Sequence, residues 1–287
     1  MANMETKASS KNASETAKMS GHKIIRNSMT ITEIAKPFAS VIRVSGIVKD
    51  PNLDQWLQAN NAVRIEMDAI GSGKPITRVY TIRDYYAATN IAEIDFVVHH
   101  GQSLAMDWLS KQKIGDKIYL MGPKQHFMPD YKNGHDNIFF ADDTAIPALF
   151  SIFKNWPQGL KATAYIDCAH QSAIDELPKI AGVDYKTFIR QDDCAAGTSG
   201  FLVKEALSIN PTTKANLWIA CEREEARQIR DHFLSGGQVA KADIKAIGYW
   251  KRGMTSSIVD EKRMAHYIDL TAQGKGIEQF DEFDVKI

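Results

Sequence analysis

The hydrophobic rhythm of this chain changes between residues 122 and 137, and that change limits the fold more than any single motif. From about residue 30 to 122 the apolar residues fall in short runs rich in Val, Ile, Phe and Tyr: SVIRVSGIV, AVRIEMDAI, ITRVYTIRDYY, EIDFVVHH and DKIYLMG. Turn formers such as Lys49-Asp50-Pro51-Asn52 and Gly71-Ser72-Gly73-Lys74-Pro75 separate them. Ile42, Val44, Gly46 and Val48 alternate with polar neighbours, as do Ile94, Phe96 and Val98, so each strand has one buried face. Sequential strands at this spacing predict an antiparallel, six-stranded β-barrel over residues 23–124, interrupted by one helix, QSLAMDWLSKQK. From 136 to 253 near-continuous apolar strands (NIFFADD, ATAYIDCA, YKTFIR, NLWIACE, IKAIGYW) alternate with amphipathic helical segments (TAIPALFSIFK, SAIDELPKI, SGFLVKEALSI, EEARQIRDHFL). That pattern predicts a Rossmann-like parallel α/β domain, its sheet covered on both faces. Residues 1–22 read as a polar, flexible tail, and 254–287 as a C-terminal extension that packs across the sheet or over the site.

Composition closes off several classes of function. Lys+Arg and Asp+Glu number 35 each, so bulk charge offers nothing to a nucleic acid. No apolar stretch reaches the roughly 18 residues a membrane helix needs. Three widely spaced cysteines, Cys168, Cys194 and Cys221, make neither a disulfide framework nor a zinc or iron–sulfur site. The eight histidines include no HxxxH pair, so no metal site is expected. With no secretory signal in sight, the expected location is the cytoplasm.

The α/β half should bind its ligand at the carboxyl ends of its strands. Where a dinucleotide fold carries GxGxxG, this chain has Ala141-Asp142-Asp143-Thr144-Ala145-Ile146-Pro147. Two carboxylates repel a tightly cradled phosphate, so a nucleotide here would bind transiently; equally, Asp142 or Asp143 could simply cap the next helix. A firmly held cofactor then belongs to the barrel. In Arg78-Val79-Tyr80-Thr81-Ile82-Arg83, alternation places Arg78, Tyr80 and Ile82 on one face, Thr81 and Arg83 on the other. A planar ring could stack on Tyr80 while an arginine fixes a phosphate, although a plain half-buried strand explains the same residues. Next, His99-His100-Gly101-Gln102-Ser103-Leu104-Ala105 runs from strand to helix N-terminus, where free amides favour a pyrophosphate or Ser103 merely caps.

In order, RVYTIR at 78–83, DFVVHHG-x-SLAMDW at 95–108, IGDKIYLMGPK at 114–124, FADDTAIPAL at 140–149, LWIACE at 217–222 and IGYWKRG at 247–253 make an ordered set. The chain resembles the siderophore-interacting protein family of FAD-dependent ferric-siderophore reductases, within the ferredoxin-reductase-like superfamily. The resemblance implies that Arg78, Tyr80 and Thr81 hold FAD, with Arg83, His99, Gly101, Ser103, Leu104 and Ala105 lining the rest of its site. It further implies that Asp142, Thr144 and Ala145 face the flavin and the nicotinamide entry, and that Tyr249 and Trp250 cover the flavin's other side, with core packing the alternative for that pair. Lys124-Gln125-His126 departs from the family's usual G-P-R-G loop.

The implied reaction is electron transfer from NADH or NADPH, or from ferredoxin, through FAD to the iron of a ferric siderophore. No catalytic nucleophile is needed, and none is apparent. Lys49, Lys124, Lys251 and Arg252 are candidates for a basic rim that gathers anionic chelates. The expected partners are thus the siderophore and ferredoxin, with no nucleic acid, no membrane insertion and a monomeric chain. Competing readings are a general flavin reductase or ferredoxin-coupled carrier and a non-enzymatic siderophore-binding module.

Overall fold

A computed structural model describes residues 26–67, 76–98, 103–128, 134–212, 214–276 and 280–287. The N-terminal tail, His99 and Gly101 lie outside the described residues.

Strands β1 (Arg26–Phe38), β2 (Val41–Lys49), β3 (Asn61–Glu66), β4 (Thr77–Tyr86), β5 (Ile91–Val97) and β6 (Lys117–Gln125) close into a barrel in the order β1-β2-β5-β4-β3-β6. Every neighbouring pair is antiparallel. β1 is the strand that sequence runs alone do not single out. Its register with β2 shifts between Ile31 and Glu33 and again between Ala35 and Phe38, around Pro37. Two bulges destroy the period of two on which strand recognition rests. Met29, Ile31, Ile65, Ile94, Phe96 and Leu120 fill the interior. Gly46 admits them: a Cβ there would sit 2.6 Å from Cγ of Met29. Helix α1 (Leu104–Leu109) covers the barrel with Ala105, Trp108 and Leu109, the expected face.

In the second half β7 (Asp136–Asp142), β8 (Ala162–Cys168), β9 (Val183–Ile189), β10 (Ala215–Glu222) and β11 (Ile244–Trp250) form a parallel sheet in the order β11-β10-β7-β8-β9. Every residue of β10 is buried, because helices lie on both faces. Helix α2 (Ile146–Lys154) covers Phe139, Ile166 and Trp218 on one side. On the other side, Phe140, Leu217 and Ile219 pack with α4 (Phe201–Ser208) and α5 (Arg223–Ser235). Between β8 and β9, α3 (Gln171–Asp175) is shorter than SAIDELPKI suggests. Pro178 biases Leu177 away from helical geometry and ends it early. Strand order reverses between β7 and β10, and the crevice above their carboxyl ends is the switch point.

The halves meet through α2, which lies on β4. Lys154 pairs with buried Asp84 at 2.6 Å, Asn60 N donates to Ser151 Oγ at 3.1 Å, and Trp218 Nε1 donates to the carbonyl of Phe127 at 3.0 Å. Beyond Gly253, α6 (Ser256–Ala272) reaches back to the barrel, and 280–287 returns to the sheet. Among the described residues no helix is long and apolar enough to cross a membrane.

Candidate functional site

β4 supplies one wall of the junction. Its pairing with β5 shifts between Ile82 and Asp84, so the expected alternation does not continue through Arg83, and Ile82, Arg83 and Asp84 are buried in succession. The guanidinium of Arg83 lies 3.2 Å from Glu93, 3.5 Å from Asp95 and 3.1 Å from Glu176, and 3.5 Å over the ring of Phe150. Arg43 joins the same carboxylates, 2.6 Å from Asp95 and 2.7 Å from Glu176. Arg83 thus joins an ion-pair network that fastens the two halves together.

Arg78 behaves differently. Its Nη1 donates to the Thr77 carbonyl at 2.9 Å and its Nη2 to Ser257 Oγ at 2.7 Å, so the C-terminal helix touches the head of the strand. Tyr80 packs its ring on Phe96 at 4.3 Å between centroids, and burial pushes its phenol up. At α1, Ser103 holds the N-cap position in extended backbone but makes no side-chain capping bond; Leu104 is half-buried and Ala105 buried.

The opposite wall comes from the ends of β7 and β11. Asp142 is buried and accepts from Thr144 N at 2.9 Å, from the Thr144 hydroxyl, and from Trp250 Nε1 at 2.7 Å. It therefore caps the turn that begins α2. Burial pushes its carboxyl up to about 6, against the pull of those donors. Asp143 instead pairs with Arg190 and accepts from Ala169 N at 3.0 Å. Ala145 is fully buried. Tyr249 turns its hydroxyl toward the side chain of Thr81, at most a weak contact, and among the described residues the buried oxygen has no hydrogen-bond partner of good geometry. An orphaned hydroxyl is costly in a packed interior and cheap where a polar ligand edge completes it. Thr81, Asp142, Thr144, Ala145, Tyr249 and Trp250 are thus brought together.

Further charged residues gather at this crevice. Glu222 ends β10 and caps α5, accepting from the amides of Glu224 at 2.6 Å, Glu225 at 3.2 Å and Arg252 at 3.0 Å. Glu225 is 7% exposed, and burial with repulsion from Asp142, Asp167 and Glu222 pushes its carboxyl up to about 7. Arg190 is held between Asp143 and Asp167. An acidic residue before a helix is a visible capping signal; its neighbours across the sheet are not.

The four expected rim cations separate. Lys49 and Lys124 are exposed on β2 and β6. Lys251 points its ammonium at Glu222 and Glu224, 3.8 and 3.7 Å away, and Arg252 donates to the Gly197 carbonyl at 2.8 Å. Among the described residues no group of three or more His, Cys, Asp or Glu is arranged to hold a metal ion.

Comparison with known proteins follows the same division into halves. Residues 47–127 match the model of the siderophore-interacting FAD-binding domain, and residues 135–253 that of the siderophore-interacting protein. The ferric acinetobactin reductase of Acinetobacter baumannii is 36% identical over 257 residues, 90% of this chain and 89% of the relative. The chain belongs to the siderophore-interacting protein family. A solved siderophore-interacting protein from Acinetobacter baumannii superposes with a TM-score of 0.83 at 35% identity, covering 88% of this chain and all of that one. At the level of fold alone, this family member also resembles the ferredoxin reductase of carbazole 1,9a-dioxygenase, with a TM-score of 0.59 at 14% identity, over 80% of this chain and 71% of the other.

Proposed function

We propose that this chain is a ferric-siderophore reductase that holds FAD in the junction between barrel and sheet. The family and the activity named for the Acinetobacter relative support the reaction class. The observation that carries the site is the juxtaposition of Thr81 with the Tyr249 hydroxyl, which makes no well-formed hydrogen bond among the described residues, a buried polar edge shared by the two halves. The chemistry supplied by FAD, when bound, is acceptance of two electrons together and their release one at a time.

This chain's residues do the positioning. Arg78, at the head of β4, offers a guanidinium to a phosphate on exchanging its contact with Ser257. Tyr80, backed by Phe96, and Thr81 offer a ring face and a hydroxyl. Ser103, Leu104 and Ala105 extend that lining along α1. On the sheet side, Asp142 holds the Trp250 indole, and Thr144 and Ala145 fix the turn beside it. The iron is substrate: once reduced, it has lower charge density and leaves hard oxygen chelators. Lys49 and Lys124, exposed and without an ion pair among the described residues, can attract an anionic chelate; the charges of Lys251 and Arg252 are already engaged.

NADH or NADPH would meet an acidic crevice. The amides at the start of α5, where a pyrophosphate could rest, are taken by Glu222. A nicotinamide nucleotide would therefore approach transiently, and the same observation favours ferredoxin, which needs no pyrophosphate cradle, as a second donor. Three unpaired cysteines fit a reducing compartment, and we place the reaction in the cytoplasm.

The test is anaerobic. Protein reconstituted with FAD should be yellow, be bleached by NADH, NADPH or reduced ferredoxin, and recover its colour on addition of a ferric siderophore. Failure to take up FAD, or bleached protein that a ferric siderophore leaves unchanged, overturns the reading.

A further inference from the structure

The C-terminal segment makes a contact that none of the family motifs accounts for. β11 is an edge strand, so the outward N–H and C=O of Gly248 have no neighbouring strand among the described residues. Two side chains stand in for one. Glu282 accepts from Gly248 N through Oε1, while Arg263 of α6 donates from Nη2 to the Gly248 carbonyl at 3.0 Å and to Glu282 Oε2 at 3.1 Å. The backbone of Gly248 is held at both its N–H and its C=O by one ion pair. Glu282 is itself fastened: Arg223 donates to its carbonyl and to that of Val285 at 2.9 Å, and Phe283 and Val285, which follow it, are buried. Gly248 leaves no slack, since a Cβ there would lie 2.7 Å from Arg223 Cβ.

The residue after this clamp is where β11 loses register. Cys221 pairs with Gly248 and Glu222 with Trp250, which leaves Tyr249 as the extra residue of a bulge. Bulges re-aim side chains, and this one directs Tyr249 toward Thr81 and Trp250 onto Asp142. We infer that Glu282, locked by Arg263, is a positioning residue: by gripping the Gly248 peptide it fixes the bulge that presents Tyr249 and Trp250 to the cofactor junction. The inference rests on the proposed placement of FAD and adds residues 254–287 to the machinery of that site.

The experiment compares full-length Glu282→Ala, Glu282→Gln and Arg263→Met with wild type. Asp281→Asn is the control, since Asp281 docks the same segment through Arg230 and Lys241, at 2.9 and 3.0 Å, without touching Gly248, and asparagine keeps the side-chain oxygen that accepts from Phe283 N at 3.0 Å. Readouts are FAD affinity by fluorescence titration, the visible spectrum and midpoint potential of the bound flavin, and amide exchange at 248–250. Glu282→Ala should weaken FAD about tenfold, the scale of a slight misplacement of binding groups, alter its visible band and speed exchange at those amides. Glu282→Gln keeps an acceptor for Gly248 N–H and should recover most of the affinity; Arg263→Met should fall between, and Asp281→Asn should match wild type. A folded Glu282→Ala or Arg263→Met protein with unchanged affinity, spectrum and potential overturns the inference, as does an Asp281→Asn protein with the same defect. Should Glu282→Ala fail to fold, Glu282→Gln and Arg263→Met decide by the same criteria. Wild-type protein that takes up no FAD sinks the reductase reading instead, and exchange at 248–250 still judges the clamp, which falls if the variants leave it unchanged.

Discussion

Glu225→Gln is the substitution whose consequence the structure specifies most fully. Glu225 sits in the first turn of α5, 7% exposed, facing the carboxyl groups of Asp142, Asp167 and Glu222. Burial is the main cause that lifts its carboxyl from 4.5 to about 7, and the neighbouring acids add to it. The folded protein therefore holds this proton more tightly than the unfolded chain, and between pH 4.5 and about 7 stability must fall as pH rises. At ~1.4 kcal/mol per pH unit the window is worth about 3 kcal/mol, of which about 2 kcal/mol is expressed between pH 5 and pH 8. Glutamine has the same shape and no charge to lose. Equilibrium urea unfolding of wild type and Glu225→Gln, at those two pH values and constant ionic strength, should show the variant gaining about 2 kcal/mol on wild type at the higher pH. A difference in stability that does not change with pH, or changes in the opposite sense, refutes the reasoning.

Four further substitutions separate the roles of the junction residues. Tyr249→Phe removes a buried hydroxyl that makes no well-formed hydrogen bond among the described residues, so FAD-free protein should unfold at the same urea concentration as wild type or gain up to about 1 kcal/mol, unlike an ordinary buried Tyr→Phe change. Trp250→Phe takes a donor from Asp142, lifting that carboxyl beyond about 6; its cost should be about 2 kcal/mol at pH 8 and smaller at pH 5, measured by the same unfolding series. Arg83→Met leaves Glu93, Asp95 and Glu176 with Arg43 as their remaining cation and should cost about 3 kcal/mol in urea unfolding. In fluorescence titration, the folded Arg83→Met protein should lose less FAD affinity than Arg78→Ala.

Local periodicity and motif order, which the sequence carries by itself, determined a closed antiparallel barrel followed by a parallel α/β sheet, and the family to which both belong. Those properties are legible because buried faces recur at fixed intervals of two or 3.6 residues, and because Asp142, Thr144, Tyr249 and Trp250 stand in short recognisable strings. Tertiary structure alone decided the rest. Bulges in β1, at Arg83 and at Tyr249 each break the period that reading along the chain relies on, so the bounds of β1, the ion pairs of Arg83 and the direction of Tyr249 are not legible from alternation. Ser257 meets Arg78 across 179 residues and Glu282 meets Gly248 across 34, and neither pair leaves a local trace. A hydrogen bond between distant residues depends on where two backbones have been carried by packing, and packing is a property of the folded chain as a whole.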